Sequence, residues 1–227
     1  MINIAIIGTG DISGIYLKNL TTLFEGVTVL GVCDLIKEKA EKARDTYQIP
    51  KLYLTMEEAF ADKEVDLILN LTRPYEHFHV SMAALKAGKH VYSEKPLATT
   101  LADGEALVAE AEAKGLFLGA APDTFMGAGI QTCRKLIEDG FIGTPIGATA
   151  SMICRGHEGW HPDPAFYYQQ GGGPMLDMGP YYVTALVHLL GPIQEVKGIA
   201  KTTFLKRVIG SEPKRGQVIE VETPTYI

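Results

Sequence analysis

Glu94, Lys95 and Pro96 follow directly on a short apolar run, "HVYSE". A charged pair at the carboxyl end of a parallel strand stands where open α/β sheets bind their ligands. There a lysine ammonium can donate to a substrate hydroxyl or carbonyl and steady a developing alkoxide. Pro96 fixes φ and removes a donor, which holds the backbone in one shape. A second set lies in "IAIIGTGDISG", where Gly8, Gly10 and Ser13 occupy the positions of G-x-G-x-x-(small residue). Gly8 permits a tight turn, Gly10 lets the backbone approach a pyrophosphate, and a small Ser13 allows close helix–strand packing. The hydroxyl of Ser13 is also in reach of a phosphate. Asp11, Ile12 and Ser13 open a helix whose first N–H groups and positive dipole end suit that phosphate. Asp34 ends the next strand at the spacing of a ribose-reading acid. A carboxylate there accepts from the adenosine ribose hydroxyls and repels a 2′-phosphate. The alternative is that Asp34 only caps the helix beginning near Ile36. Together these residues predict a dinucleotide site that prefers NAD, with NADP possible.

The elements that must position these residues alternate. "INIAIIG", "VTVLGVCD", "VDLILNLT", "HVYSE" and "LFLGAA" read as strands. Helical patterns separate them, with Thr55 as a candidate N-cap and Gly88 and Gly115 as helix ends. Such alternation predicts βαβ units and a parallel sheet covered on both faces. The pattern changes after Pro122. A helix over 127–139 leads to a half-polar strand, "IGATASMICRG". A loop rich in Gly, Pro and aromatic residues, a helix over "MGPYYVTALVHLLG" and two strand-like stretches, "IQEVKGIAKTTFLKRV" and "VIEVETPTYI", close the chain. The expected fold is α/β: a parallel-sheet domain over 1–122 followed by an α+β domain over 123–227.

The 227 residues carry a formal net charge of -6, which argues against a nucleic-acid partner. Lys206, Arg207, Lys214 and Arg215 form a modest basic cluster, expected to be solvated surface. Cys33, Cys133 and Cys154 are odd in number and show no CxxC spacing, so free thiols in a reducing compartment are expected. No signal-like segment or bilayer-length apolar run occurs, so the expectation is a cytoplasmic protein with no membrane partner. "HEGWH" sets His157, Glu158 and His161 one residue too far apart for the helical zinc motif. Gly159 and Pro162 make it a loop, so no metal is expected. Trp160 and His161 are instead candidates for touching substrate. Tyr182 reads as a core aromatic, and His90 and His188 as structural.

Three stretches together resemble the Gfo/Idh/MocA family of oxidoreductases. "AGKHVYSEKPL" resembles its hallmark. "LTRPYEH" resembles its T-P-x-x-x-H segment, with Thr72, Pro74 and His77 in place and Arg73 inserted. "GGGPMLDMGPYY" resembles its G-G-x-x-x-D-x-G-x-x-(H/Y) segment. The resemblance covers the whole chain. It implies a Rossmann domain followed by a domain with a broad, mostly antiparallel sheet, and a nicotinamide lying between them over Lys95. Lys95, Asp177 and Tyr181 occupy the family's catalytic positions; many members have His at the last of these and others Tyr. Thr72, Pro74, His77 and Glu94 fall on the cofactor side, His77 either lining the cleft or capping its helix. Asp177 and Tyr181, four apart, are expected to share a helix face. Tyr181 then relays the hydroxyl proton, oriented by Asp177, unless it is a core aromatic. The activity implied is NAD(P)-dependent hydride transfer to or from a sugar, cyclitol or related polyol. Two other readings are a non-catalytic dinucleotide-binding regulator and an NAD-dependent glycosidase. Family members are longer, and this chain stops at "VETPTYI". The expectation is a C-terminally shortened member with an unfinished second sheet and a tendency to form homo-oligomers.

Overall fold

A computed structural model describes all 227 residues. The chain divides into two compact units, Met1–Ala121 and Pro122–Ile227.

In the first unit, strands β1 (Ile2–Ile7), β2 (Val27–Cys33), β3 (Lys51–Leu52), β4 (Leu67–Asn70), β5 (His90–Ser93) and β6 (Leu118–Ala120) form one sheet. Every pairing in it is parallel, in the order β3-β2-β1-β4-β5-β6. This is the doubly wound order whose direction reverses between β1 and β4, the place where such sheets bind ligands. The period of two in β1 explains the layers. Ile4 and Ile6 face one core with Leu17 of α1 (Ser13–Thr22) and Ala40 and Ala43 of α2 (Lys37–Tyr47). Ala5 and Ile7 face another, with Phe60 of α3 (Met56–Ala61), Leu85 of α4 (His77–Lys86) and Leu107 of α5 (Leu101–Lys114). A strand buried on both sides reads as continuously apolar. The helices begin and end on local signals. Thr55 Oγ1 accepts from Glu58 N–H (3.3 Å), Thr100 Oγ1 from Asp103 N–H (3.2 Å), and Gly115 ends α5 at φ +62°.

The second unit holds α6 (Ala128–Glu138), α7 (Gly173–Asp177), α8 (Gly179–Leu190) and an antiparallel pair, β7 (Lys206–Val208) and β8 (Val218–Glu220). Its buried core is small: Tyr168, Ile209 and Ile219. Three expectations are corrected here. "IGATASMICRG" is not a strand, and the two late stretches are strand only at β7 and β8, with one further bridge between Lys201 and Tyr226. An alternating pattern forms a ladder only when a partner supplies N–H and C=O groups, and residues 146–156 and 193–200 find none. Ile146, Ile153, Val196 and Ile199 are left more than three-quarters exposed. Second, the helix expected over 178–191 is found at Gly179–Leu190, and it is the continuous helix face expected for Asp177 and Tyr181 that is interrupted, since α7 ends at Asp177. The helix restarts at Gly179, because Pro180 has no N–H to give the preceding turn. Third, the basic cluster is not solvated surface throughout: Lys206 and Arg215 are exposed as expected, whereas Arg207 is largely buried. Lys206 pairs with Glu220 (2.8 Å), Lys214 with Asp163 (2.6 Å), Arg215 with Glu212 (3.0 Å), and the largely buried Arg207 with Glu158.

Candidate functional site

The first unit gathers its candidate residues at the carboxyl ends of β1, β2, β4 and β5. Gly8 leaves β1 at φ +96°, and a Cβ there would lie 2.7 Å from the Leu71 carbonyl oxygen. Only glycine fits that combination of backbone angle and close approach. At Gly10 the space a Cβ would fill is open. Ser13 closes the turn: its N–H (3.0 Å) and Oγ (2.7 Å) both donate to the Gly10 carbonyl. The buried hydroxyl is therefore turned into the loop, not out to a phosphate. Asp11 and Ile12 are exposed at the start of α1.

Asp34, half-buried beyond β2, joins two segments. Its Oδ2 accepts from Thr9 N–H (2.7 Å) and Thr9 Oγ1 (3.0 Å), and its Oδ1 from Ile36 N–H (2.8 Å). It forms no side-chain cap on α2, whose N-cap is Ile36. Instead it latches the glycine turn to the end of β2. Its partner Thr9 lies between the two glycines, where sequence reading saw only a spacer. Next to it, burial and then the Asp34 carboxylate push the Cys33 thiol up to about 11, so it stays protonated at neutral pH.

Beyond β4, the fully buried Asn70 organises the next loop. Its Nδ2 donates to the His77 carbonyl (3.1 Å) and Ser81 Oγ (2.9 Å), and its Oδ1 accepts from Thr72 N–H (3.2 Å) and Thr72 Oγ1 (2.6 Å). Pro74 opens a 3₁₀ turn that leads into α4. His77 is 1% exposed, with Nδ1 2.7 Å from the Pro96 carbonyl and Nε2 3.0 Å from the Thr72 carbonyl. Burial lowers its pKa, against the pull of those two carbonyls. His77 thus ties the loop after β4 to the loop after β5 from within the fold.

Glu94 continues from β5, its N–H bonded to the Asn70 carbonyl (2.9 Å). Its Oε1 accepts from Tyr16 OH of α1 (2.8 Å) and its Oε2 from Lys95 N–H (2.9 Å). Glu94 is therefore a brace between α1 and the strand end. Lys95 is half-buried, Pro96 is buried, and the peptide between them is cis. The Glu94 carboxylate, the Asn70 backbone carbonyl and the His77 imidazole thus all bond to the backbone around Lys95.

The second unit holds Asp177, Tyr181, Trp160 and His161. Asp177 ends α7 and Tyr181 lies in the first turn of α8, its N–H bonded to the Met178 carbonyl (3.1 Å). A helix break thus separates the pair expected on one continuous face. A different neighbour reaches Asp177: His157 Nε2 lies 3.3 Å from its Oδ2. His157 stacks on Tyr167, with ring centroids 3.8 Å apart and planes at 9°. Glu158 fastens the same loop. Arg207 Nε donates to its Oε1 (2.8 Å), and Tyr168 OH donates to its Oε2. Burial, and then this carboxylate, push the Tyr168 phenol up to about 12. Trp160 is 64% exposed, while His161 Nδ1 accepts from Asp163 N–H (3.0 Å). No group of three His, Cys, Asp or Glu is placed to hold a metal ion.

The family model for the oxidoreductase family with an NAD-binding Rossmann fold matches residues 2–121, more than half of the chain. The chain belongs to the Gfo/Idh/MocA oxidoreductase family. The model of the Gfo/Idh/MocA C-terminal domain matches residues 130–225. Inositol 2-dehydrogenase of Salmonella typhimurium is 34% identical over 149 residues, 62% of this chain and 43% of that protein. Myo-inositol dehydrogenase from Lactobacillus casei, solved with NAD(H) and myo-inositol, aligns at a TM-score of 0.61 and 26% identity over 64% of this chain and 43% of that one. An NAD-binding oxidoreductase from Klebsiella pneumoniae aligns at 0.80 over 98% of this chain and 61% of that one; at 23% identity this likeness speaks for the fold alone. This Gfo/Idh/MocA chain spans about half the length of the curated relatives it matches. Its Rossmann unit is an NAD-binding domain, and the open space at Gly10, with Asp34 held against the turn, fits that cofactor.

The residues missed by sequence reading are Thr9, Asn70 and Tyr16, together with the contact of His157 with Asp177. Asn70 carried a signal, a lone amide ending the apolar run "LILN". The contact of His157 with Asp177 carried none, because it joins residues twenty apart across a loop.

Proposed function

We propose that this protein transfers a hydride between NAD and a hydroxyl-bearing carbon of a sugar, cyclitol or related polyol. The supporting observation is the convergence of Glu94, Asn70 and His77 on the backbone that carries Lys95, at the sheet edge where the NAD-binding turn lies. Gly8, Gly10, Asp11, Ile12 and Ser13 supply the phosphate-binding turn, Asp34 reads the ribose, and Thr72 and Pro74 border the same edge. When bound, NAD supplies a nicotinamide carbon that takes up or returns a hydride. Lys95 donates a hydrogen bond to the reacting oxygen and stabilises its negative charge. Tyr181 passes the hydroxyl proton, and Asp177 orients it. His77 and Glu94 serve as positioning residues. The test is a screen of sugars and polyols with NAD and NADP, following absorbance of the reduced cofactor. Activity with no compound, alongside tight NAD binding, favours a regulator; turnover of a glycoside without net NADH favours a glycosidase.

Asp34→Ala is expected to weaken NAD by roughly 10- to 150-fold, the effect of losing hydrogen bonds to a charged group. NADP is expected to lose much less, since repulsion of its 2′-phosphate disappears as well. Titration of both cofactors into both proteins measures this, and equal losses exclude Asp34 as the ribose reader.

The exposed Ile146, Ile153, Val196 and Ile199 lead us to expect self-association. Light scattering over a wide concentration range checks it, and a constant monomer mass refutes it. The three cysteines are unpaired and no helix is long and apolar enough to cross a membrane, which supports a place in the reducing cytoplasm.

A further inference from the structure

His77 is buried between two acceptors. Its Nδ1 lies 2.7 Å from the Pro96 carbonyl oxygen and its Nε2 lies 3.0 Å from that of Thr72. A neutral imidazole carries one N–H and one bare lone pair, whereas the imidazolium carries two N–H groups. The neutral ring therefore satisfies one of these carbonyls and turns a lone pair toward the other. Only the charged ring donates to both. Two acceptors facing each other without water are costly, so the protonation state decides how firmly both carbonyls are held. The carbonyls belong to different loops. Thr72 lies beyond β4, in the segment that packs on the glycine turn: a Cβ on Gly8 would stand 2.7 Å from the Leu71 oxygen and 3.0 Å from the Thr72 nitrogen. Asn70 Oδ1 already takes the Thr72 N–H and hydroxyl, which leaves the Thr72 carbonyl to fix the peptide leading to Arg73. Pro96 lies beyond β5, directly after Lys95.

We infer that His77 is a proton-operated clasp: on taking up a proton it ties the loops after β4 and β5 together and tightens the hold on NAD. It is a positioning residue, acting through Thr72 and Pro96. Burial opposes its charge most, and Lys95 opposes it too, while the two carbonyls and Glu94 favour it. Asn70, bonded to the His77 carbonyl, and Ser81, bonded to Asn70, are neutral. The loop and first turn that carry His77 also hold Arg73, Tyr75, Glu76 and His79. The ring thus titrates below the ordinary histidine range, so the clasp is open at neutral pH and closes as pH falls. The pyrophosphate of NAD brings negative charge to the same strand ends. Bound cofactor and proton therefore favour one another, and by linkage each raises the affinity for the other. The inference rests on the NAD-binding unit and not on the choice of substrate.

Of the six histidines only His77 is buried, so its ring N–H protons are the ones shielded from exchange with water. Proton NMR of the unaltered protein from about pH 8 to about pH 5 is expected to show one shielded ring N–H at the upper end and two at the lower. Saturating NAD is expected to move that change to higher pH. NAD affinity over the same range is expected to tighten about 10-fold as pH falls. Calorimetry in two buffers of different ionisation enthalpy is expected to show proton uptake on binding. His77→Gln keeps an amide to bond one carbonyl but cannot titrate, so its NAD affinity is expected to stay flat. A constant number of ring N–H protons across the range overturns the clasp, and that measurement needs no variant. An unaltered protein whose affinity follows that of His77→Gln also overturns it. Proton-linked NAD binding without turnover of any polyol upholds the clasp and removes the dehydrogenase reading. Polyol turnover with pH-independent NAD affinity keeps that reading and removes the clasp.

Discussion

Lys95→Met is expected to lower turnover by about 10²–10⁴, the range for losing a general acid or base, while NAD still binds. Met keeps most of the stem volume and loses the ammonium. The residues that would hold NAD, from Gly8 to Ser13 and Asp34, make their contacts without the Lys95 side chain. The brace from Glu94 Oε2 to the Lys95 backbone N–H also remains, because Met keeps that N–H. The measurement is steady-state turnover of the polyol identified by the screen, together with an NAD titration of the same variant. Near-normal turnover removes Lys95 from the mechanism and leaves the Glu94–Lys95–Pro96 stretch as a backbone device. Loss of NAD binding with loss of the folded state gives it a structural role instead.

Gly8→Ala is expected to damage the fold itself, whereas Gly10→Ala damages only binding. At Gly8 the new Cβ meets the Leu71 carbonyl oxygen at 2.7 Å and its carbon at 2.8 Å. That carbonyl is held in place, since the Thr72 N–H of the same peptide plane is bonded to Asn70 Oδ1 (3.2 Å). A positive φ costs about 1–2 kcal/mol, and overpacking about 1–3 kcal/mol. Together they lower the melting temperature by roughly 5–20 °C. At Gly10 the Cβ enters open space, so the melting temperature holds while NAD binding weakens, because the methyl fills the cradle. Thermal melts and NAD titrations of both variants decide it. Equal stability of the two excludes the clash at Leu71.

The Rossmann half was legible because its signals are local. Apolar runs, Thr55, Gly88 and Gly115 each mark an element from within a few residues, and parallel strands buried on both faces cannot be mistaken for amphipathic ones. The second half was less so. Strand chemistry in "IGATASMICRG" says what a segment can do, while a strand exists only with a partner that supplies its hydrogen bonds. Pro180 was visible, yet its effect, dividing Asp177 from Tyr181, depends on which carbonyl it fails to reach. The long-range pairs were the least legible. Tyr16 meets Glu94, Arg207 meets Glu158 and His157 meets Asp177 because the fold delivers them, and no spacing rule connects them. Arg207 misled for the same reason: it looked like surface until the fold brought Glu158 to it.

The two-ended grip of Asp34 makes cofactor choice and loop shape a single trait in this chain. Exchanging that acid to admit a 2′-phosphate also frees Thr9, and with it the stretch between the two glycines that receives the pyrophosphate. A change toward NADP by one substitution would thus weaken the part of the site that both cofactors share. A successful redesign needs a neutral residue at 34 that still accepts from Thr9, followed by a cation nearby. Evolution along the same route would have to pass through the same order of steps, which makes the acid at this position hard to replace.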